Sequence, residues 1–369
     1  MNFTVQKADL LRELQLVQGV VEKKATIPIL SNLLVNATRE GLEVIATDME
    51  LGIQSVCEAK VESPGAITVH ARKLHDIVRA FPDAEIHFAL QKENRIQIRC
   101  ANAEFKVAGQ STDDYPSLLE YDFKGAIGIP LQHFKAMIER VIFAVTLDDP
   151  RYAIYGALLA IRKGKIEMVA TDGHRLAYVA READVSPKEE IQVIVPKKTL
   201  GEIVRLEPGP EGEVRIGLKD NHVFVRSGVR RLQSALFEGS FPSYEKVIPA
   251  GNNRIAMFPA AGLLAALQRV SLLSTERTKA VKIHIGGDGM VVSSSNPEFG
   301  EAEESLTVEG WSGEPLEIGF NARYVMEFLQ AVGDTTVRLE LKDEETQALM
   351  RPDDAEGVSY QYVVMPMRV

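Results

Sequence analysis

The chain has 369 residues, of which 45% are apolar and 25% charged, with a formal net charge of −10; that size suits two to four globular domains at roughly 100–200 residues each. The opening MNFTVQKADLLREL carries Lys7 and Asp9 before any apolar run, which does not read as a signal peptide, and no stretch approaches the roughly 18–20 apolar residues of a membrane span. Two cysteines, Cys57 and Cys100, are too few for a disulfide framework and point to a reducing cytoplasm.

The first predicted element is an amphipathic helix. Leu10, Leu14, Val17 and Val21 fall at i, i+4, i+7 and i+11, one stripe. LEVIATDMEL follows and places Asp48 after an apolar run. ITVHARKLHDIV then reads as a strand running into a second helix, marked by Val69, Leu74 and Ile77. RIQIRCANAEFKVAG is β-prone, and Tyr115-Pro116 closes the segment. The same order begins again with Phe134, Ile138, Val141 and Val145. It continues through IEMVATDGHRL (Asp172), VIVPKKTLGEIV (Val195, Leu200, Ile203) and HVFVRSGVRRLQSAL to Phe241-Pro242. A third pass runs through Leu263, Leu267 and Val270, then MVVSSSNPEF (Asn296) and IGFNARYVMEFL (Phe320, Val325, Phe328), to Met365-Pro366. Turn signals such as Lys219-Asp220-Asn221 and Gly286-Gly287-Asp288-Gly289 split the strands.

Asp48, Asp172 and Asn296 recur 124 residues apart. That period is too long for a solenoid, whose units run roughly 20–50 residues. Each copy is large enough to own a core. The chain therefore reads as three similar α+β domains, 1–124, 125–252 and 253–369, each with two helices packed on antiparallel sheets.

Basic residues recur on the helices. Arg12, Arg140 and Arg269 lie off the apolar stripe of the first helix in each copy. Arg72, Lys198 and Arg323 hold matching positions on the second, where Arg79 and Arg205 share the face in two copies. Asp76, Glu202 and Glu327 follow at i+4, so solvated helix-surface ion pairs explain the pattern as well. The other reading is a concave basic surface that meets phosphates without regard to sequence. The acidic net charge alone argues against nucleic acid, but a whole-chain sum hides how charge is distributed.

No P-loop, HExxH, CxxC or GxSxG is present, and the histidines are scattered. Neither a metal nor a cofactor is expected. Asp172 and His174 in TDGHRL are the one candidate acid–base pair, without a nucleophile in view. A structural turn or a binding site for a partner are the other readings of that segment.

ATDGHRLAYV (170–179), SNPEFGEAEE (295–304), the terminal YVVMPMRV and the threefold repeat together resemble the bacterial sliding clamps, the β subunits of DNA polymerase III, over the whole length. The resemblance implies a DNA clamp fold and a head-to-tail, ring-shaped homodimer around double-stranded DNA. It implies a non-catalytic processivity factor, opened by a clamp loader and bound by the replicative polymerase α subunit and other clamp-binding-motif proteins. Carried over residue by residue, the partner-peptide pocket falls on Ile154, Thr171, Gly173, His174, Arg175, Leu176, Pro242, Lys246, Val247, Val363, Val364, Met365, Pro366 and Met367. Lys246 stands where the family often has Arg. DNA contact falls on Lys24, Arg151 and Tyr152, beside the helix positions Arg72, Arg79, Arg140, Lys198, Arg205, Arg269 and Arg323; Ala153 replaces a second aromatic, and Asp148 and Asp149 precede it. The dimer contact sets Lys73, Arg95 and Arg99 against Glu298, Glu301, Glu303 and Glu304, with Leu272 and Leu273 as its apolar part. Asn102 and Glu104 stand at two further basic positions of that strand, which shifts weight onto the leucines. An enzyme using Asp172 and His174, and a monomeric nucleic-acid-binding module, are the alternatives.

Overall fold

The computed structural model describes residues 1–21, 26–145, 155–275, 278–287, 289–353 and 357–368. The predicted stripes become helix faces. Helix α1 (Lys7–Val17) buries Leu10, Leu14 and Val17, and α2 (Ala71–Ala80) buries Leu74 and Val78 against it. Each fully buried side chain of this kind contributes roughly 1.5–3 kcal/mol. Helix α2 stops at Phe81, whose extended backbone is what a residue before proline prefers.

Helices α3 (Leu131–Glu139) and α4 (Lys197–Arg205) repeat the pattern with Phe134, Ile138, Leu200 and Ile203 buried. Val141 and Val145 lie past the end of α3 yet stay buried, so the stripe outlasts the helix. The third pair, α5 (Ala260–Val270) and α6 (Ala322–Val332), packs Leu263 and Leu267 with Val325 and Phe328. Asn321 caps α6 by accepting the Arg323 N–H at 3.0 Å, and Gly333 ends it at φ 78°.

All strand pairings among the described residues are antiparallel, as the short spacing of the β-prone runs predicts. Two compact units emerge: Met1–Lys135 with Lys198–Leu236, and Ala136–Lys197 with Phe237–Val369. Their border runs through the middle repeat because that repeat shares out its strands. In the first unit, Arg230–Ala235 pairs with Leu51–Cys57, setting Leu232 opposite Ile53 and continuing the first repeat's sheet. In the second, Arg175–Glu182 pairs with Val358–Val364, setting Leu176 opposite Val363. A four-stranded sheet, ordered Gly300–Thr307, Gly289–Asn296, Ala280–Gly286, Leu316–Asn321, completes the second unit.

Strands Gly156–Arg162 and Lys165–Thr171 are buried at nearly every residue, whereas Gly300–Thr307 is half or fully exposed throughout. The first two are covered on both faces; the last is an outermost strand. No helix among the described residues is long and apolar enough to cross a membrane.

Candidate partner pocket and nucleic-acid interface

TDGHRL folds as a tight turn fixed by its own side chains. The Asp172 Oδ1 accepts the N–H groups of His174 (3.0 Å) and Arg175 (3.1 Å). Thr171 donates its hydroxyl to the Arg175 carbonyl at 2.6 Å and accepts the Gly173 N–H at 3.1 Å. Gly173 sits at φ 85°, a conformation that costs glycine nothing. Both Asp172 oxygens are committed, because Oδ2 takes the Arg175 Nε at 3.0 Å. Asp172 therefore holds structure, which removes it from the acid–base pair.

Arg175, carried into the pocket by resemblance, has a side chain only 5% exposed. Its guanidinium bonds Glu327 and donates to the Phe143 carbonyl at 2.6 Å. It also lies over the rings of Tyr324 (4.3 Å) and Phe143 (5.4 Å). Burial disfavours its charge, yet the carboxylates outweigh this and keep it protonated. Arg175 thus supports the turn from within.

The remaining pocket positions divide by depth. Leu176 and Val363 form a buried floor with Tyr178, Tyr244, Leu158 and Leu349. Val364 is buried beside them in register with Arg175. Thr171, Gly173, Pro366 and Met367 are half-buried, and His174, Pro242, Lys246, Val247 and Met365 are exposed. Met365 donates its N–H to the His174 carbonyl at 2.9 Å, which joins the C-terminal segment to the turn. Pro242, Lys246 and Val247 flank Tyr244, whose ring stacks on Tyr178 at 5.9 Å and anchors that segment to the floor. Ile154 lies outside the described residues.

Sequence reasoning missed the floor tyrosines. The signal was there: Leu176, Tyr178 and Ala180 alternate along one strand face. The Tyr178 hydroxyl donates to Glu167 at 2.7 Å. Burial pushes the Tyr178 hydroxyl up, with Glu167 adding to it, and pushes Tyr244 up to about 12. Both stay neutral, so the floor presents rings and not charge.

The recurring basic positions turn out to be largely paired within the chain. Arg269 makes a two-pronged contact with Glu304 (2.5 and 2.8 Å), and Arg323 bonds Glu327 at 2.9 Å. Arg205 bonds Glu202 (3.0 and 3.1 Å) and the Gln15 carbonyl, while Lys198 reaches Asp48 and the Val20 carbonyl. Arg79 stands 3.9 Å from Asp76, Arg12 takes Asp9 and Glu13, and Arg140 lies over the Tyr360 ring at 5.6 Å. Arg72 makes no ion pair among the described residues.

Of the three expected i+4 pairs, Arg323–Glu327 forms as read; Asp76 and Glu202 instead meet Arg79 and Arg205 at i+3. Lys24, Arg151 and Tyr152 lie outside the described residues, as do Asp148, Asp149 and Ala153. A phosphate meeting these faces would compete with carboxylates already in place.

The expected dimer positions differ in exposure and setting: Lys73 lies on helix α2, and Arg95 and Arg99 lie on a strand paired on both sides. Leu272 is 79% exposed and Leu273 half-buried. Glu298, Glu301 and Glu303 are exposed on or beside the outermost strand Gly300–Thr307, whereas Glu304 is held by Arg269. Lys73 and Arg95 are exposed, and Arg99 bonds Glu104 at 2.7 Å. Strand Ala103–Gln110 pairs with Gly65–His70 only through Gly109 and Gln110, which leaves one side of Ala103–Val107 without a strand partner among the described residues. Phe105 and Phe299 are exposed near these edges and were not singled out from sequence.

Three consecutive domain descriptions of one family match the chain. The N-terminal domain of the DNA polymerase III beta subunit matches residues 1–119, its central domain 128–243 and its C-terminal domain 245–368. The beta sliding clamp of Pseudomonas aeruginosa is 35% identical over 371 residues, and that of Escherichia coli 34%, each covering all of both chains. The crystal structure of a Pseudomonas aeruginosa sliding clamp bound to griselimycin superposes with a TM-score of 0.90 at 35% identity, over the full length of both chains.

Proposed function

The chain belongs to the DNA polymerase III beta subunit family, the sliding clamps, and from that membership we propose how its surfaces divide the work. It is a DNA sliding clamp of replication, a three-domain processivity subunit and not an enzyme. In our reading the domains are 1–124, 125–252 and 253–369. Two copies join head to tail into a ring around double-stranded DNA in the cytoplasm. A clamp loader opens the ring, and the polymerase α subunit and other motif-bearing proteins dock at the Thr171–Arg175 turn.

The observation that carries this reading is the pairing of the basic helix positions. Exposed ion pairs are worth roughly 0–1 kcal/mol. Arg79, Arg269 and Arg323 can each release a carboxylate to meet a phosphate at little cost, whereas Arg205 is held by the buried Glu202. The resulting contact is weak, salt-screened and blind to sequence, as a ring that slides requires. The dimer contact is heterologous and closes because its rotation returns after two subunits. In support, the acidic strand edge with Leu272 and Leu273 is complementary to Lys73, Arg95 and Arg99.

The test is topological. In solution the protein runs near twice the 40.7 kDa chain mass; once loaded it stays on circular DNA and leaves linear DNA by the ends. A monomer that binds both forms alike contradicts this. For the pocket, griselimycin is the probe. Val247→Glu abolishes its binding if the floor and rim described above are the docking site, and leaves it unchanged if they are not.

A further inference from the structure

Glu327 is a shared ligand. Its Oε1 accepts the Nε of Arg323 at 2.9 Å, and Arg323 is 69% exposed on the outer face of α6. Its Oε2 accepts Nη1 of the buried Arg175. Arg175 in turn holds Asp172 at 3.0 Å, and Asp172 fixes the two amides of the turn. The turn's His174 carbonyl then holds Met365 at the pocket rim. Helix α6 is tied to the same point twice more: Tyr324 lies under the Arg175 guanidinium at 4.3 Å, and its carbonyl accepts the Tyr362 hydroxyl at 2.9 Å. One carboxylate thus connects an exposed arginine to a buried one that supports the pocket.

We propose that Glu327 couples phosphate contact at Arg323 to partner binding at the Thr171–Arg175 turn, so that duplex DNA tightens the pocket. The proposal rests on the reading above, in which Arg323 meets DNA and the turn meets partners. With no phosphate present, the Glu327 charge is divided between two cations. A phosphate that draws Arg323 away leaves the whole carboxylate to Arg175. That holds the guanidinium more firmly on Tyr324 and fixes the strand start that presents Leu176 to the floor. Coupling requires a contact that differs between two states, and Arg323 supplies it by having two alternative anions. The effect is reciprocal: an occupied pocket tightens DNA contact by the same factor. Glu327 touches neither ligand and is a positioning residue.

The experiment measures griselimycin affinity of the full chain by calorimetry at low salt, with and without a saturating short linear duplex. The duplex is expected to tighten binding about fivefold, the low end of typical site-to-site coupling. In Glu327→Gln that difference vanishes. Arg323→Met, an exposed change that does not threaten folding, is expected to show the tightened affinity already without DNA. An affinity in the wild type that the duplex leaves unchanged or weakens overturns the coupling. So does a tightening that survives Glu327→Gln, or an Arg323→Met protein that still responds to the duplex. Failure of the pocket reading is distinguishable, because griselimycin would then bind the Val247→Glu protein normally.

Discussion

The turns Thr47–Leu51 and Thr171–Arg175 are built on the same bonds but finished differently. In each, an aspartate Oδ1 accepts two amides: Asp48 from Glu50 (3.0 Å) and Leu51 (2.7 Å), and Asp172 from His174 and Arg175. In each, a threonine hydroxyl bonds the last carbonyl. The positive-φ position is Met49 at 83° in one and Gly173 at 85° in the other. Leu51 and Gly52 stand where the second turn has Arg175 and Leu176. At the first turn, Leu118 lies down on Gly52, and Tyr121 lies on Gly217 and stacks on Phe224 at 4.7 Å, so these two side chains hold residues 116–123 against the sheet. At the second, Tyr244 enters the floor and Val247 and Met365 stay exposed. The repeat supplies the scaffold twice, and a few side chains decide what each copy leaves at its surface.

The largest expected effect comes from removing the buried cation on each side of this comparison. Arg175→Met removes the buried cation shared by Asp172 and Glu327. Arg230→Met strands Glu13, which is 2% exposed and bonded at 2.7 and 2.9 Å. Breaking a buried pair costs about 3–5 kcal/mol, so thermal melting drops for both. Only Arg175→Met also weakens griselimycin, which separates support of the pocket from support of the fold. Equal loss of binding in both variants would erase the distinction between the turns.

Gly52→Leu imports the second turn's residue into the first and is expected to cost less. Its Cβ would stand 2.4 Å from the Leu118 Cδ2, so Leu118 must leave. Overpacking of this kind costs about 1–3 kcal/mol. Denaturant unfolding should show that loss, while protease cleavage within residues 116–123 rises. An unchanged cleavage pattern would mean that Leu118 does not hold the segment down.

A pH series sharpens the first side. Burial pushes the Glu13 carboxyl up, but hydrogen bonds from Arg230 and Ser55 outweigh it and hold it below the usual range. The stabilisation from a depressed carboxyl is fully present above the ordinary value of about 4.3 and is lost as pH falls through the folded value. Melting temperature should therefore fall on acidification below about pH 4.3, and less steeply in Glu13→Gln.

What was legible in the sequence follows from what periodicity records. Spacing gave the helix stripes and the threefold repeat, because each depends on residues at a regular interval, and it left a turn as one of several readings of TDGHRL. The Arg175–Glu327 and Arg230–Glu13 contacts join residues 152 and 217 apart, and no local pattern announces them. The resemblance carries Arg175 into the pocket, but TDGHRL marks only where it sits in the chain and not which way its side chain turns. The sharing of the middle repeat between two sheets was hidden for the same reason, since strand partners across a repeat border leave no spacing to count.

The smallest effect concerns the edges. Glu303 is exposed at the open strand, and Arg99 and Glu304 are already held by Glu104 and Arg269 within the chain. In the proposed dimer, charges satisfied in the free subunit gain little by exchanging partners across the contact, whereas Leu272, at 79% exposure, would gain by leaving water. Raising salt should therefore shift the dimer–monomer balance only slightly, and Glu303→Gln should match the wild type in sedimentation. Leu272→Asp should shift it toward monomer at every salt concentration. If salt alone separates the wild-type subunits, charge and not leucine holds this contact, and Leu272→Asp would then add little to what screening has already done.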